Sequence, residues 1–170
     1  MLRSLVGSEM CIRDRRAQVE MAQAGYRAGL PFNLDAWDGY PAARERLYQS
    51  IRRAGAHPIV LAGDSHAFWA NQLADADGAA IGVEFGTSAI SSPSIGDTLP
   101  QVPLGALLEK ASPEVLFCDQ RAKGYILLTL TPERATGDYV AMSTILETKA
   151  ESRSLARFSV SPGGSTLVKE

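Results

Sequence analysis

Four apolar residues, Ile59-Val60-Leu61-Ala62, lie between Pro58 and the turn Gly63-Asp64-Ser65-His66, and no other stretch restricts the fold as much. The run has no polar alternation, so it predicts a strand buried on both faces, as in a sheet covered by other layers. Gly63 lets the chain turn sharply where the strand ends. Asp64 and His66 then fall just past the strand's carboxyl end, where open α/β sheets bind ligands. A carboxylate oxygen and a neutral imidazole nitrogen two residues apart on one turn can grip a single metal ion.

The rest of the chain must cover that strand, and 170 residues suffice for one domain with a sizeable core. Upstream, residues 16–28 read as a helix with Ala17, Met21 and Ala24 on one face, weakened or ended by Gly25, Gly29 and Pro31. Asp38-Gly39 is a turn signal, and Pro41 suits the first turn of a helix over residues 42–54. In that helix Leu47 and Ile51 form the apolar pair, Arg44, Arg46, Arg52 and Arg53 face solvent, and Gly55 is the stop. Downstream, the pattern predicts a short helix over His66–Ala74, a buried strand over Ala79–Phe85, a small polar loop over Gly86–Ser94, a helix over Leu104–Lys110 and a strand over Val115–Cys118. Three half-buried strands follow, Tyr125–Thr131, Tyr139–Leu146 and Leu155–Val160, separated by turns containing Pro132, Gly137 and Pro162-Gly163-Gly164. Ile126, Leu128 and Leu130, then Val140, Met142 and Leu146, then Ala156, Phe158 and Val160 share the inner faces of an antiparallel meander with one wet side. The expected class is α/β, with α+β character in the C-terminal half.

Several function classes drop out. A net charge of −2 without clustered Lys and Arg gives no nucleic-acid-binding surface. No apolar run approaches the ~20 residues of a membrane-spanning helix. Cys11 and Cys118 form no CxxC pair, so there is no zinc ribbon and no disulfide framework. Residues 1–15 carry no h-region of a signal peptide. Their run SLVGSEMCIRDR is similar to translated sequencing-adapter sequence, so this segment is expected to be non-native and the natural chain to have been cut upstream.

Trp37-Asp38-Gly39-Tyr40 is followed by an Arg-rich helix, the apolar strand and Gly63-Asp64-Ser65-His66-Ala67-Phe68-Trp69. Glu84-Phe85-Gly86-Thr87-Ser88, Ser91-Ser92-Pro93 and Lys123-Gly124-Tyr125 then come in order. Taken together, these motifs resemble the alkaline phosphatase D (PhoD-like) family of metallophosphoesterases over roughly residues 16–160. The resemblance implies an αββα metallophosphoesterase sandwich, of which residues 16–170 would be the C-terminal portion. It implies hydrolysis of small-molecule phosphate mono- or diesters by metal-activated hydroxide, with iron and calcium as cofactors. It also implies a periplasmic or secreted enzyme whose export signal lies on the missing N-terminus. Asp64 and His66 match the family's metal motif, as carboxylate and imidazole ligands. The family's Asn-His pair is absent from this chain. The chain is therefore expected to be a fragment that cannot assemble the full centre and has little or no activity alone.

Residue chemistry by itself leaves other readings open. Asp64 also fits the N-cap of a following helix, and His66 a hydrogen-bonded, partly buried histidine. Trp37 and Tyr40 fit either the rim of a substrate site or packing against the next helix. Thr87 and Ser88 fit either donors to a phosphate or a solvated loop. His57, at the opposite end of the strand, reads as a surface residue. Gly63-Asp64-Ser65 also opens like an SGNH-type esterase with Ser65 as nucleophile, but that chemistry needs a general-base histidine, and none follows His66. A non-catalytic binding remnant is the third class.

Overall fold

The computed structural model describes residues 4–6, residue 37 and residues 40–170. The helix expected over residues 16–28, the Asp38-Gly39 turn and most of residues 1–15 lie outside the described residues. The described residues form nine strands and three helices in the order β1 (Ser4–Val6), α1 (Pro41–Arg53), β2 (Ile59–Ala62), β3 (Phe68–Ala74), β4 (Ala80–Gly86), α2 (Ile95–Thr98), α3 (Leu104–Ala111), β5 (Val115–Asp119), β6 (Gly124–Leu130), β7 (Ala135–Met142), β8 (Ser152–Val160) and β9 (Val168–Lys169). They build two sheets: a five-stranded one ordered β1-β2-β4-β3-β5 and a four-stranded meander β6-β7-β8-β9. In the first sheet β1, β2 and β4 are parallel, while β3 runs antiparallel to β4 and β5. The second is antiparallel throughout.

Period-2 patterning places the core. Ile59, Phe68, Ala70, Val83 and Phe85 from the first sheet meet Ala135, Tyr139, Ala156, Phe158 and Val160 from the second in one inter-sheet layer. The other face of the first sheet is covered by helices. Tyr48 of α1 packs with Val60, Leu73 and Ile81, joined by the half-buried Leu47 and Ile51. Leu108 of α3 packs with Ala62, Ala67, Trp69, Val115 and Cys118. β2 is thus buried from both sides, as its unbroken apolar run predicts. Among the described residues, no helix covers the outer face of the second sheet and none is long and apolar enough to cross a membrane.

Helix α1 opens with Pro41 at its first position. It closes on Gly55 at φ +56°, whose N–H donates to the Arg52 carbonyl at 2.9 Å while that of Ala56 donates to Ile51 at 3.1 Å. That pair of bonds is a Schellman closure, which only a left-handed residue allows cheaply. Arg52 is not a purely solvated residue, because it pairs with the buried Asp75 of the β3–β4 turn.

Three expectations fail. Residues 68–74 are strand and not helix: β3 lies between β4 and β5, and its two ladders outweigh the helical propensity of Ala70, Gln72, Leu73 and Ala74. The second strand of the meander begins at Ala135, four residues earlier than expected, because Thr131 and Arg134 close a tight turn, with the Thr131 N–H on the Arg134 carbonyl at 2.9 Å. Its residues in the inter-sheet layer are Ala135 and Tyr139 in place of the expected Val140 and Met142, which lie on the alternate positions, while Leu146 lies beyond the strand at 90% exposure. Leu130, expected inside, is also exposed at the strand's end, whereas Ile126 and Leu128 pack inward.

Candidate functional site

Residues 63–67 form an arch. β2 and β3 are not neighbours, since β4 lies between them, so the turn must pass over the carboxyl end of β4. Thr87, leaving β4, donates its N–H to the Ala62 carbonyl beneath the arch at 2.8 Å. Asp64 and His66 therefore stand where β2 and β4 both end.

The arch is tight enough to force two non-glycine residues into the left-handed region, Asp64 at φ +63° and His66 at φ +53°. Such conformations cost on the order of 1–3 kcal/mol each and persist only when the surroundings fix them. Here contacts at Gly63, Ser65 and His66 do so. The Ser65 N–H donates to the Gly63 carbonyl at 2.7 Å. The Ser65 hydroxyl accepts the Trp69 indole N–H at 2.8 Å. Ser88 is buried, donates its hydroxyl to the Ala122 carbonyl at 2.6 Å and lies 3.3 Å from the His66 carbonyl.

The His66 ring is fixed as well. Its Nδ1 lies 2.7 Å from the Pro93 carbonyl oxygen. A carbonyl only accepts, so Nδ1 carries the proton and Nε2 of the neutral ring keeps its lone pair. Histidines that ligate metals are held this way, with the second nitrogen donating to a carbonyl or carboxylate. Asp64 is exposed, and its carboxylate has no hydrogen-bond partner among the described residues. This pair meets two requirements of a metal site, an available imidazole nitrogen and an uncommitted carboxylate. No third His, Cys, Asp or Glu joins them in a group among the described residues.

The other residues singled out in the sequence fall in different places. Trp37 is half-buried against Tyr48, Val60, Leu73 and Ile81, towards the far end of β3 and the start of β4. Tyr40 is 52% exposed and its N–H donates to the Trp37 carbonyl at 3.0 Å. Thr87 adjoins Gly63, where a Cβ would lie 3.9 Å from its methyl carbon. The Ser88 hydroxyl is committed to backbone carbonyls. His57 bonds through Nδ1 to the Ser165 hydroxyl at 2.9 Å, away from the arch.

Sequence reasoning missed the loop that receives His66. Pro93 leads into α2, a single turn opened by a capping box in which the Ser94 N–H donates to Asp97 Oδ2 at 2.6 Å. Lys123, 8% exposed, donates to the same oxygen at 2.7 Å. That ammonium and the Ser94 N–H hold the Asp97 carboxyl down to about 2 from an ordinary 3.8. The Ser-x-x-Asp spacing of residues 94–97 was a visible cap signal, but nothing in it points to His66.

The PhoD-like phosphatase family model matches residues 4–139. The chain belongs to that family. This PhoD-like chain is 32% identical to alkaline phosphatase D of Bacillus subtilis (strain 168) over 140 residues, which are 79% of the chain and 23% of that protein. A solved structure of PhoD matches with a TM-score of 0.62 at 29% identity, over 79% of this chain and 26% of the solved one. The PhoD-like chain thus spans about a quarter of the length of these relatives, and its two-sheet α/β architecture agrees with the solved one.

Proposed function

We propose that this chain is part of a metal-dependent phosphoester hydrolase, acting on phosphate mono- or diesters, in which Asp64 and His66 are metal ligands. The observation that carries the reading is the His66 ring, whose Nδ1–H is taken by the Pro93 carbonyl so that Nε2 is left to bind, beside the uncommitted Asp64 carboxylate. Membership of the PhoD-like phosphatase family supports the chemistry, and iron and calcium are the ions we propose from the resemblance of its motifs. Such ions, when bound, withdraw charge from phosphoryl oxygens and lower the pKa of an attacking water. The part played by this chain's own residues is positional. The arch holds a carboxylate and an imidazole at the end of two parallel strands, and Pro93 keeps the imidazole in one tautomer. Ser65 serves the arch and is not a nucleophile, since its hydroxyl accepts from Trp69 and no histidine is bonded to it among the described residues. Thr87, beside Gly63, is the residue we place nearest a bound phosphate, ahead of Ser88, Trp37 and Tyr40.

Two donors do not hold a catalytic metal by themselves, and no third joins them among the described residues, so the 170-residue chain is expected to bind ions weakly and to have little or no turnover. Titration of the purified chain with ferric and calcium ions tests the ligands. Asp64→Ala and His66→Ala should each weaken binding at least about tenfold, no less than the loss of an outer-shell partner. Unchanged binding in folded His66→Ala would overturn the ligand assignment. Brisk metal-dependent hydrolysis of nitrophenyl phosphate by the chain alone would overturn its expected inactivity.

A further inference from the structure

The Pro93 carbonyl that accepts the His66 proton and the Ser94 N–H that donates to Asp97 belong to one peptide group. A continuous line of three hydrogen bonds runs through it. His66 Nδ1 donates to Pro93 O at 2.7 Å, Ser94 N donates to Asp97 Oδ2 at 2.6 Å, and Lys123 Nζ donates to that same Oδ2 at 2.7 Å. We propose that Asp97 is a positioning residue that fixes the tautomer and orientation of His66 through the Pro93–Ser94 peptide, with Lys123 locking the carboxylate in place. It rests on the reading of His66 as a metal-binding imidazole only for its purpose; the relay itself concerns protons already in place.

The physical case has two parts. A charged acceptor on a peptide N–H polarises the group and strengthens its carbonyl as an acceptor, because hydrogen bonds in series reinforce one another. The arrangement is a carboxylate–histidine pair with one peptide inserted between its members. Geometry supplies the second part. A peptide that is fixed at its N–H cannot rotate its carbonyl away from His66. The surrounding loops are stitched together to the same end. The Ser94 hydroxyl donates to the Gln120 carbonyl at 2.5 Å, Ser88 donates to Ala122, and the Gly124 N–H donates to the Ala89 carbonyl at 3.3 Å. Gly96 lies so close to the Gln120 backbone that a Cβ there would sit 2.2 Å from its carbonyl oxygen, which holds α2 against the β5–β6 loop. The buried Lys123 therefore meets Asp97 from a rigid base at the start of β6.

The test reads the ring nitrogens directly and needs no metal. The chain has two histidines, so nitrogen-15 spectra of the full chain at about pH 8, where an ordinary imidazole is neutral, resolve His66 from His57. His57 bonds to Ser165 and serves as the internal reference. His66 should be protonated at Nδ1. Asp97→Ala and Lys123→Met should each lower its Nδ1–H to Nε2–H ratio about fivefold, the equivalent of one net hydrogen bond, while Lys123→Arg should restore it and His57 should not move. An unchanged His66 ratio in folded Asp97→Ala would overturn the proposal, as would an equal change at His57. If Asp97→Ala does not fold, Asp97→Asn keeps an acceptor for the Ser94 N–H and removes only the charge; a smaller shift in the same direction supports the relay, and no shift overturns it. Because the ratio is read without metal, failure here leaves the ligand assignment to the titration of His66→Ala, and failure there leaves the relay standing.

Discussion

His66 is constrained at its backbone, its carbonyl and its ring, and each constraint comes from a different stretch of chain. The turn that carries it could be read from the sequence, because a glycine after an apolar run signals both a strand end and a bend. Its receiving group could not be read, because Pro93 lies 27 residues away and offers only a main-chain oxygen. Asp97 was equally hidden: its spacing from Ser94 signals a cap, and a cap is usually only that. Its electrostatics make a prediction at this scale. The Asp97 pKa is depressed in the fold, so the stability it contributes is fully present above its ordinary value of 3.8 and disappears as pH falls through about 2. The melting-temperature advantage of the natural chain over Asp97→Asn should therefore be constant from neutrality to about pH 4 and vanish towards pH 2. Melts at four or five pH values across that window check it, and an advantage that survives at pH 2 would contradict the assigned cause. The carboxylate is 41% exposed, so added salt should shrink the effect.

At the scale of the element, two of the misreadings share a cause. Local propensity was outweighed by partners that are distant in sequence. Phe68–Ala74 has helix formers but is claimed on both sides by β4 and β5, and the alternation of Phe68 and Ala70 against Trp69 and Leu73 serves the inter-sheet layer on one face and the two helix-covered clusters on the other. Gly137 reads as a turn, yet it lies within β7 because the Phe85 ring of the facing sheet occupies the space of its side chain. A Cβ there would lie 2.6 Å from Phe85 Cδ1. Gly137→Ala should accordingly cost about 1–3 kcal/mol, the usual range for overpacking a filled core. Urea denaturation of the variant measures it directly. A neutral result would mean that the ring moves aside freely. β2, β4, β5 and β6 lie within one residue of where their own apolar pattern puts them, while β8 begins three residues earlier than expected, at Ser152.

For the whole molecule, the layering was legible and its fastening was not. Periodicity separated an α/β half from a meander, but it gave no indication that Tyr139 joins them. Its ring lies among Phe68, Phe85, Phe117 and Phe158, with centroids 5.3–6.2 Å away. Its hydroxyl crosses between the sheets to donate to the Trp69 carbonyl at 2.7 Å. Burial and the negative charge of Glu84 push its pKa well above the ordinary value, so it stays a donor at any working pH. Tyr139→Phe should cost about 1–2 kcal/mol for the lost bond and the carbonyl left behind, and Tyr139→Ala about 3–5 kcal/mol. Chemical unfolding of both checks the order, and equal losses would show that the hydroxyl contributes most of the stabilisation. The residue at the other end of that bond has a further use. Trp69 is 2% exposed, receives Tyr139 at its carbonyl and gives its indole N–H to Ser65, the residue between Asp64 and His66. Its emission depends on that hydrogen bond, so any event that shifts the turn alters a fluorescent signal built into the chain. The second tryptophan, Trp37, packs elsewhere, and replacing it with phenylalanine leaves a single tryptophan, excited apart from the five tyrosines, that reports on the arch without an added label.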